Sequence, residues 1–334
     1  LSIRRQRQMC IRDRSSINYF GFDLGYDKKA NGLIGNASYQ KAQYNGNIGG
    51  MVWKSKGDSE KRRYDFDYDP VNRLLRADFT QYTNGSFNQD ALMNFNVKMG
   101  DGINISTAYD DNGNIKRMQQ WGWKLTGSVQ IDDLRYTYEA GTNKLRNVID
   151  FNDVHDTKLG DFRTSMYHPK KTDKSNYVGS GTGNVYDIVD YSYDVNGNLK
   201  RDLNKDIGND ANDGITYNHL NLPTVITLRK PDGTIKGTIT YTYDAAGNKL
   251  KKTTVENNVT ITHNNQTSNN TVTTTTDYIG VFVYESKTYS EATGLNYTHK
   301  LQFGGHEDGR IRALYDSLNS PLTLTGLSLI HISE

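Results

Sequence analysis

The sequence predicts an all-β protein built from repeated antiparallel hairpins. The chain of 334 residues contains 23 Tyr and 31 Gly but only 5 Pro. Tyr, Thr and Val favour strands, whereas Asn and Gly favour turns. A short string, Tyr-x-Tyr-Asp followed by Gly-Asn, also recurs along the chain. A recurring string of this kind predicts one supersecondary element per copy.

The composition excludes two other classes of protein. Hydrophobic residues make up 35% of the chain and the mean hydropathy is -0.76. No apolar run approaches the roughly 18 residues that a membrane-spanning helix needs, which excludes a membrane-embedded protein. Disordered chains are poor in aromatic residues, so the many tyrosines argue against global disorder.

The two ends of the chain are interpreted as foreign to the protein. Residues 1–14 contain the string RRQRQMCIRDR and residues 327–334 read LSLIHISE. Both strings match translations of a sequencing-library transposon adapter, read from opposite strands. We therefore expect both segments to lie outside the fold and assign residues 15–326 to the repeat region. A basic arm that binds nucleic acid is the rejected alternative for the first segment.

This interpretation changes what charge and cysteine content imply. Cys10 is the only cysteine, so the remaining protein has none and no disulfide framework. Without the two end segments the formal net charge falls from +2 to -1, and the basic pI of the chain is no indication of nucleic-acid binding. We also expect the natural protein to extend beyond both ends.

The copies of the repeat differ in detail. Clear copies begin at Tyr109, Tyr191 and Tyr241, and looser copies begin at Tyr44, Tyr68, Tyr136, Tyr217 and Tyr315. In a clear copy, Tyr191 and Tyr193 are two residues apart and share one face of a strand. Asp194 starts a turn, Gly197 supplies the positive φ that closes it, and Leu199 begins the return strand. An isolated hairpin is marginal in water, so neighbouring copies are expected to join into one continuous sheet.

These copies resemble the YD-repeat, or RHS-repeat, family, whose pattern is roughly Tyr-Asp-x-x-Gly-Asn/Arg-Leu. The resemblance covers essentially Asn18 to Thr325, and the order of segments is similar to the region upstream of the RHS core in bacterial cell-surface and polymorphic-toxin proteins. It implies a continuous spiralling antiparallel sheet, here an open fragment of a β-shell. The shell in that family encloses a variable C-terminal polypeptide, often a toxin. The core motif and the self-cleavage site of some members are absent, so no catalytic residue is carried over.

Three groups of polar residues are candidate metal sites. The stretch His306-Glu307-Asp308 lacks the histidine pair of H-E-x-x-H and is interpreted as a polar turn. Two acidic stretches offer the oxygen ligands that calcium prefers, but both are interpreted as solvated loops. They contain Asp150, Asp153, His155 and Asp156 in the first, and Asp206, Asp210, Asp213 and Gly214 in the second.

Other candidate sites also have simpler structural interpretations. Residues 179–183, GSGTG, lack the lysine of a phosphate-binding loop and are expected to form a loop tip. Trp53, Trp121 and Trp123 could form a platform for stacking sugars, but packing against tyrosines is favoured. Residues 264–276, rich in Asn and Thr, are expected to form a solvent-facing hairpin loop. The spacing of the sequence indicates no nucleophile partner for five of the histidines. These are His155, His168, His219, His263 and His299.

The sequence leaves three classes of function to distinguish: a structural scaffold, an adhesin and an enzyme. The repeat favours a non-enzymatic structural scaffold, part of a secreted or cell-surface shell that encloses or presents a C-terminal effector of the same full-length chain. The alternative is an adhesin that binds a surface glycan or receptor through exposed aromatic residues. An enzyme is not expected, and neither are catalytic, cofactor-binding or metal-binding residues, a nucleic-acid partner or a membrane span.

Overall fold

The computed structural model describes residues 19–27, 30–31, 37–124, 127–152, 161–168, 189–307, 309–315 and 324–331. The chain divides into two compact units, with residues 1–163 and 174–188 in the first and residues 164–173 and 189–334 in the second. No described helix is long and apolar enough to cross a membrane. The candidate loop at 179–183 and three of the candidate calcium-binding residues, Asp153, His155 and Asp156, lie outside the described residues.

The described residues of the first unit form a nine-stranded antiparallel sheet, a two-stranded pair and one short helix. Its strand order is β1-β4-β5-β6-β8-β9-β10-β11, and β7 pairs with β6 beside this path. A separate pair joins β2 and β3. The strands are β1 Phe20–Gly25, β2 Ala30–Asn31, β3 Ala37–Ser38, β4 Gly50–Ser55, β5 Lys61–Tyr68, β6 Leu74–Thr83, β7 Ser86–Asn88, β8 Val97–Met99, β9 Arg117–Lys124, β10 Gly127–Tyr138 and β11 Leu145–Asp150, and the helix is α1 Ile105–Ala108.

The second unit contains a two-stranded sheet, β12-β13, and a nine-stranded meander in which every strand pairs with the next in sequence, from β14 to β22. Two short 3₁₀ turns cover Leu203–Lys205 and Thr293–Leu295. The strands are β12 Tyr191–Tyr193, β13 Leu199–Asp202, β14 Ile215–Tyr217, β15 Pro223–Arg229, β16 Ile235–Tyr243, β17 Lys249–His263, β18 Gln266–Ile279, β19 Phe282–Tyr289, β20 Tyr297–His306, β21 Gly309–Tyr315 and β22 Leu324–His331.

The all-β class and the antiparallel hairpins are confirmed, and in the part of the chain that the structure describes helix is confined to short turns. Within the described residues the strands form two large open antiparallel sheets, one in each unit. The segment 264–276 also differs from the prediction. Only Asn264 and Asn265, with φ of 49° and 59°, form a loop, because two consecutive residues of positive φ make the tight turn that suits a two-residue hairpin. Thr and Asn after this turn then pair along β17.

The last strand, β22, includes residues that the sequence places outside the fold. Leu324–His331 pairs antiparallel with β21, so the expectation that residues 327–334 lie outside the fold is wrong for residues 327–331. The physical reason is that an edge strand offers backbone donors and acceptors to any extended segment, whatever its side chains. The pairing therefore does not test whether the segment is adapter-encoded.

Small apolar cores stabilise the first unit. Tyr39 lies flat against β1 and β4, where Gly25 and Gly50 make room, since a Cβ at either position would overlap its ring. Val52 and Phe87 complete this cluster. On the opposite face of the sheet, Phe79 is 1% exposed and is surrounded by other aromatic rings, those of Trp53, Tyr64 and Phe95.

The repeat turns share one geometry. Asp194 N–H donates to Asn198 O at 2.9 Å and Gly197 N–H donates to Asp194 O at 3.1 Å. The same two bonds form at Asp110 and at Asp244. Gly113, Gly197 and Gly247 have φ of 87°, 85° and 87°, which confirms the predicted turn position. The pairing register of each hairpin shifts next to the turn. This is the arrangement of a type I turn that is followed by a left-handed residue and a bulge.

We predict that Gly197→Ala destabilises the second unit by about 1 kcal/mol, because a Cβ disfavours the left-handed conformation. The loss is measured as a lower midpoint in urea unfolding. Gly294→Ala is the matched control, since Gly294 lies outside the left-handed region and a Cβ there meets no atom closer than 3.8 Å. Equal stability of the two variants would contradict the hairpin geometry.

Candidate functional site

Asp194 and Asp244, from two of the clear repeats, each hold their turn closed with three hydrogen bonds. Asp194 Oδ1 accepts from the backbone N–H of Asn196 at 2.9 Å and of Asn198 at 2.8 Å. Asp194 Oδ2 accepts from Asn198 Nδ2 at 2.8 Å. Asp244 repeats the set with the same distances. These bonds hold the pKa of Asp194 and of Asp244 below its usual range, with the asparagine side chain as the largest cause, and so the carboxylates are committed to their turns.

In five of the described repeats, a tyrosine connects the repeat to the one before it. The Tyr immediately before the turn donates from its hydroxyl to a backbone carbonyl of the preceding repeat. In five repeats the acceptor is the first residue after the preceding turn. These pairs are Tyr68 to Ile48, Tyr109 to Leu74, Tyr138 to Ile115, Tyr217 to Leu199 and Tyr243 to Pro223, at 2.6–3.0 Å.

Asparagine connects neighbouring turns at the edge of the sheet. Asn196 and Asn198 both donate through Nδ2 to Asn221 Oδ1, at 3.0 and 2.9 Å. Asn221 stands in the turn of the next repeat and has a φ of 58°. In the first unit, Asn45 and Asn47 bond to Asn72 in the same way, and Asn114 bonds to Asn143. The turns that carry Asn in place of Gly thus supply an acceptor that Gly lacks.

We predict that Tyr109→Phe destabilises the first unit by about 1 kcal/mol, because the Leu74 carbonyl loses its hydrogen bond in a buried place. Tyr109 is buried against Leu75 and Ala108, so the ring itself is retained. Urea unfolding measures the loss. Tyr44→Phe serves as control, since Tyr44 is 85% exposed. A Tyr109→Phe variant as stable as the wild type would show that the hydroxyl bond contributes nothing.

Three carboxylates converge in the first unit. Ligand oxygens of Asp132, Asp150 and Asp161 all lie within 4.8 Å of one another. Asp132 and Asp150 are buried, and a register shift between Gln130 and Asp132 turns β10 at this point. The sequence analysis identified Asp150 but not Asp132 and Asp161. The spacing of residues in the sequence does not show that Asp161 lies close to β10.

Backbone donors surround these carboxylates. Asp132 Oδ1 accepts from Phe162 N–H at 2.8 Å, and Asp150 Oδ1 accepts from Asp133 N–H and Asn152 N–H, each at 2.9 Å. Burial, with repulsion from Asp150 and Asp161, raises the pKa of Asp132 to about 6. Such oxygens have the chemistry of calcium or magnesium ligands, but their hydrogen bonds already give them a structural use, which is to fasten the segment at 161–162 to β10.

We predict that the first unit becomes more stable as the pH falls from about 7.5 to 5. A carboxyl group with a raised folded-state pKa contributes stability that is complete below its unfolded pKa and is lost as the pH rises through its folded pKa, here about 6. Asp132→Asn removes this contribution, so its unfolding midpoint should vary less with pH than that of the wild type. Asp111→Asn, at an exposed turn position, is the control. The same pH dependence in wild type and Asp132→Asn would contradict the assignment.

A histidine–aspartate pair lies inside the second unit. His168 Nε2 is 2.7 Å from Asp190 Oδ1, and the two side chains are 3% and 0% exposed. Asn204 Nδ2 donates to Asp190 Oδ2 at 2.9 Å. Burial raises the pKa of Tyr191 above its usual range and that of Asp202 to about 6. The pair fixes the segment at 164–168 against β12. Because both side chains are buried, His168 cannot act as a general base on a substrate.

The remaining sequence candidates do not converge. Asp206 binds Lys236 and Asp213 binds Lys200, while Asp210 is exposed. His306 and Glu307 are exposed where β20 ends and β21 begins at Gly309, as a polar turn requires, and Asp308 lies outside the described residues. His219 and His299 are exposed and His263 is half-buried on the second sheet.

The tryptophans do not form one platform. Trp53 stacks on Tyr64, with ring centroids 5.3 Å apart, which supports the packing interpretation for this residue. The strand pairings place Trp53 and Trp121 on opposite faces of the first sheet. Trp121 lies under the ammonium group of Lys98, and Trp123 is 48% exposed.

Comparisons with known proteins complete the description. No protein-family model matches the chain, and no curated protein matches it. Among solved structures, it is similar to a chain of TcdB2-TccC3-TEV with 13% identity, a TM-score of 0.40 and coverage of 92% of this chain and 13% of that chain. It is also similar to a chain of TcdB2-TccC3 without the hypervariable C-terminal region, with 11% identity, a TM-score of 0.25 and coverage of 92% and 18%. The chain thus spans less than a fifth of either protein.

Proposed function

We propose that the chain is a non-enzymatic structural scaffold, part of a secreted or cell-surface RHS/YD-repeat shell that encloses or presents a C-terminal effector of the same full-length protein. The observation that carries the proposal is the recurring tyrosine bond from one repeat to the carbonyl that follows the preceding turn. A bond that recurs in five repeats adds hairpins to a sheet in a fixed register, as an extended wall of hairpins requires.

The distribution of polar groups supports a non-catalytic role. Catalysis needs unlike groups that converge where a substrate can reach them. In the described residues, the aspartates of the repeats are committed to their turns and the His168–Asp190 pair is buried. The resemblance of the repeats to the RHS pattern supplies the expectation of an enclosed effector.

Limited proteolysis of the full-length protein that contains this chain tests the proposal. An effector inside a shell should survive protease under native conditions and be digested once the shell is unfolded in urea. The isolated effector region, expressed alone, is the control for its intrinsic protease sensitivity. Cleavage of the C-terminal region at the same rate in the native full-length protein and in isolation would overturn the proposal.

The negative expectation is tested on the chain itself. Calorimetric titration with calcium and zinc, with a hydrolase screen, should show neither submicromolar metal binding nor turnover. Tight calcium binding that Asp132→Asn abolishes would reassign the carboxylate cluster as a metal site.

A further inference from the structure

The two faces of the second sheet carry very different charge. Residues paired across β17–β21 share a face, and the register assigns six basic and two acidic side chains to one face, which we call the basic face. Its charged residues are Lys249, Lys252, Lys287, Lys300, Arg310, Arg312, Glu256 and Glu285. The opposite face of these strands carries Lys251 and Asp277, which pair with each other at 3.5 Å.

Tyrosine rings hold three of the four lysines of the basic face in place. The Lys249 ammonium lies 4.5 Å from the centroid of the Tyr241 ring, and that of Lys300 lies 4.1 Å from the Tyr315 ring. Lys287 lies over Tyr289 at 5.5 Å. Such contacts restrict the lysine side chains without neutralising their charge. Glu285, one of the two acids, is engaged by the Tyr297 hydroxyl at 2.5 Å.

The net charge of +4 on one face of a chain that is otherwise close to neutral calls for an anionic partner. Nucleic acid on an aromatic sheet is bound by stacking bases on open ring faces. Here the lysines already occupy ring faces of Tyr241, Tyr289 and Tyr315, so base stacking is disfavoured. The same face offers threonine hydroxyls from Thr254, Thr274 and Thr276, which suit a partner that carries hydroxyl groups as well as charge.

We propose that the basic face of β17–β21 binds an acidic polysaccharide, a chain of sugars that bear carboxylate or sulfate groups. The ammonium and guanidinium groups bind the acidic groups, and the threonine hydroxyls bind sugar hydroxyls. The site does not depend on the scaffold role, because it lies within one sheet of the second unit and needs no enclosed effector.

Binding of fluorescent oligogalacturonate to the full chain, measured by anisotropy, tests this proposal. We expect binding that weakens as salt rises from about 0.05 to 0.3 M, since screening shortens the reach of exposed charges. The combined variant Lys249→Gln, Lys252→Gln, Lys300→Gln should lower the affinity at least about tenfold, equivalent to about 1.4 kcal/mol. Neutral dextran should not compete.

Two adjacent lysines give a matched control. Lys252→Gln and Lys251→Gln remove the same charge from the same strand but from opposite faces, so only Lys252→Gln should weaken binding. Circular dichroism confirms that each variant is folded. Equal losses in both variants, or no binding by the wild type, would overturn the proposal. Tighter binding of single-stranded DNA, polyglutamate or anionic vesicles than of oligogalacturonate at equal charge would also overturn it, since the partner would then belong to another class.

Discussion

One hydrogen bond organises this protein: the bond from a tyrosine hydroxyl to a carbonyl of the preceding repeat. Its acceptor is the first residue after the preceding turn, as in the pair Tyr217 and Leu199 at 2.6 Å. The donor stands directly before its own turn, so both ends of the bond are fixed by turn geometry. A turn of different length would displace the tyrosine or its acceptor. The tyrosine, the aspartate and the glycine of the motif are therefore parts of one device, in which the aspartate closes the turn, the glycine permits its φ and the tyrosine aligns it with its neighbour.

This device explains how a chain with few apolar residues stays ordered. The clusters around Val52 and Leu75 are small, and within the described residues the long strands of the second sheet are mostly half-buried or exposed on both faces. Stability then depends on many local contacts of modest strength, among them turn hydrogen bonds, cross-strand pairs and lysines over tyrosine rings. Such a sheet can be extended by adding hairpins without rebuilding a central core.

Because the fold depends on a few residues of each repeat, the other side chains are free for other uses. Because the tyrosines and turn residues carry the architecture, the positions between them can vary in charge. In the second sheet this freedom produced a basic face and a nearly neutral one, and in the first unit it allowed carboxylates from distant segments to meet at Asp132. Neither feature is required by the repeat, and each gives the protein a property that a generic hairpin array lacks.

The sequence by itself determined the local structure. Turn type, the positive φ of Gly197 and the strands on either side follow from residues within about ten positions, because a hairpin is stabilised chiefly by its own turn and cross-strand pairs. Even the substitution of Asn for Gly at position 221 could be noticed in the sequence, although its role as an acceptor for Asn196 and Asn198 could not.

Only the tertiary structure decided which distant residues meet. The approach of Asp161 to Asp132 and the burial of His168 against Asp190 bring together residues that are more than twenty positions apart in the sequence. Lys251 and Lys252 lie on opposite faces because neighbouring residues alternate along any strand. That one of these faces is basic and the other nearly neutral follows from the register of five strands, which no single hairpin specifies. Long-range contacts have no periodic signature in the sequence, because they are selected by packing and not by the local conformational preferences that a motif records.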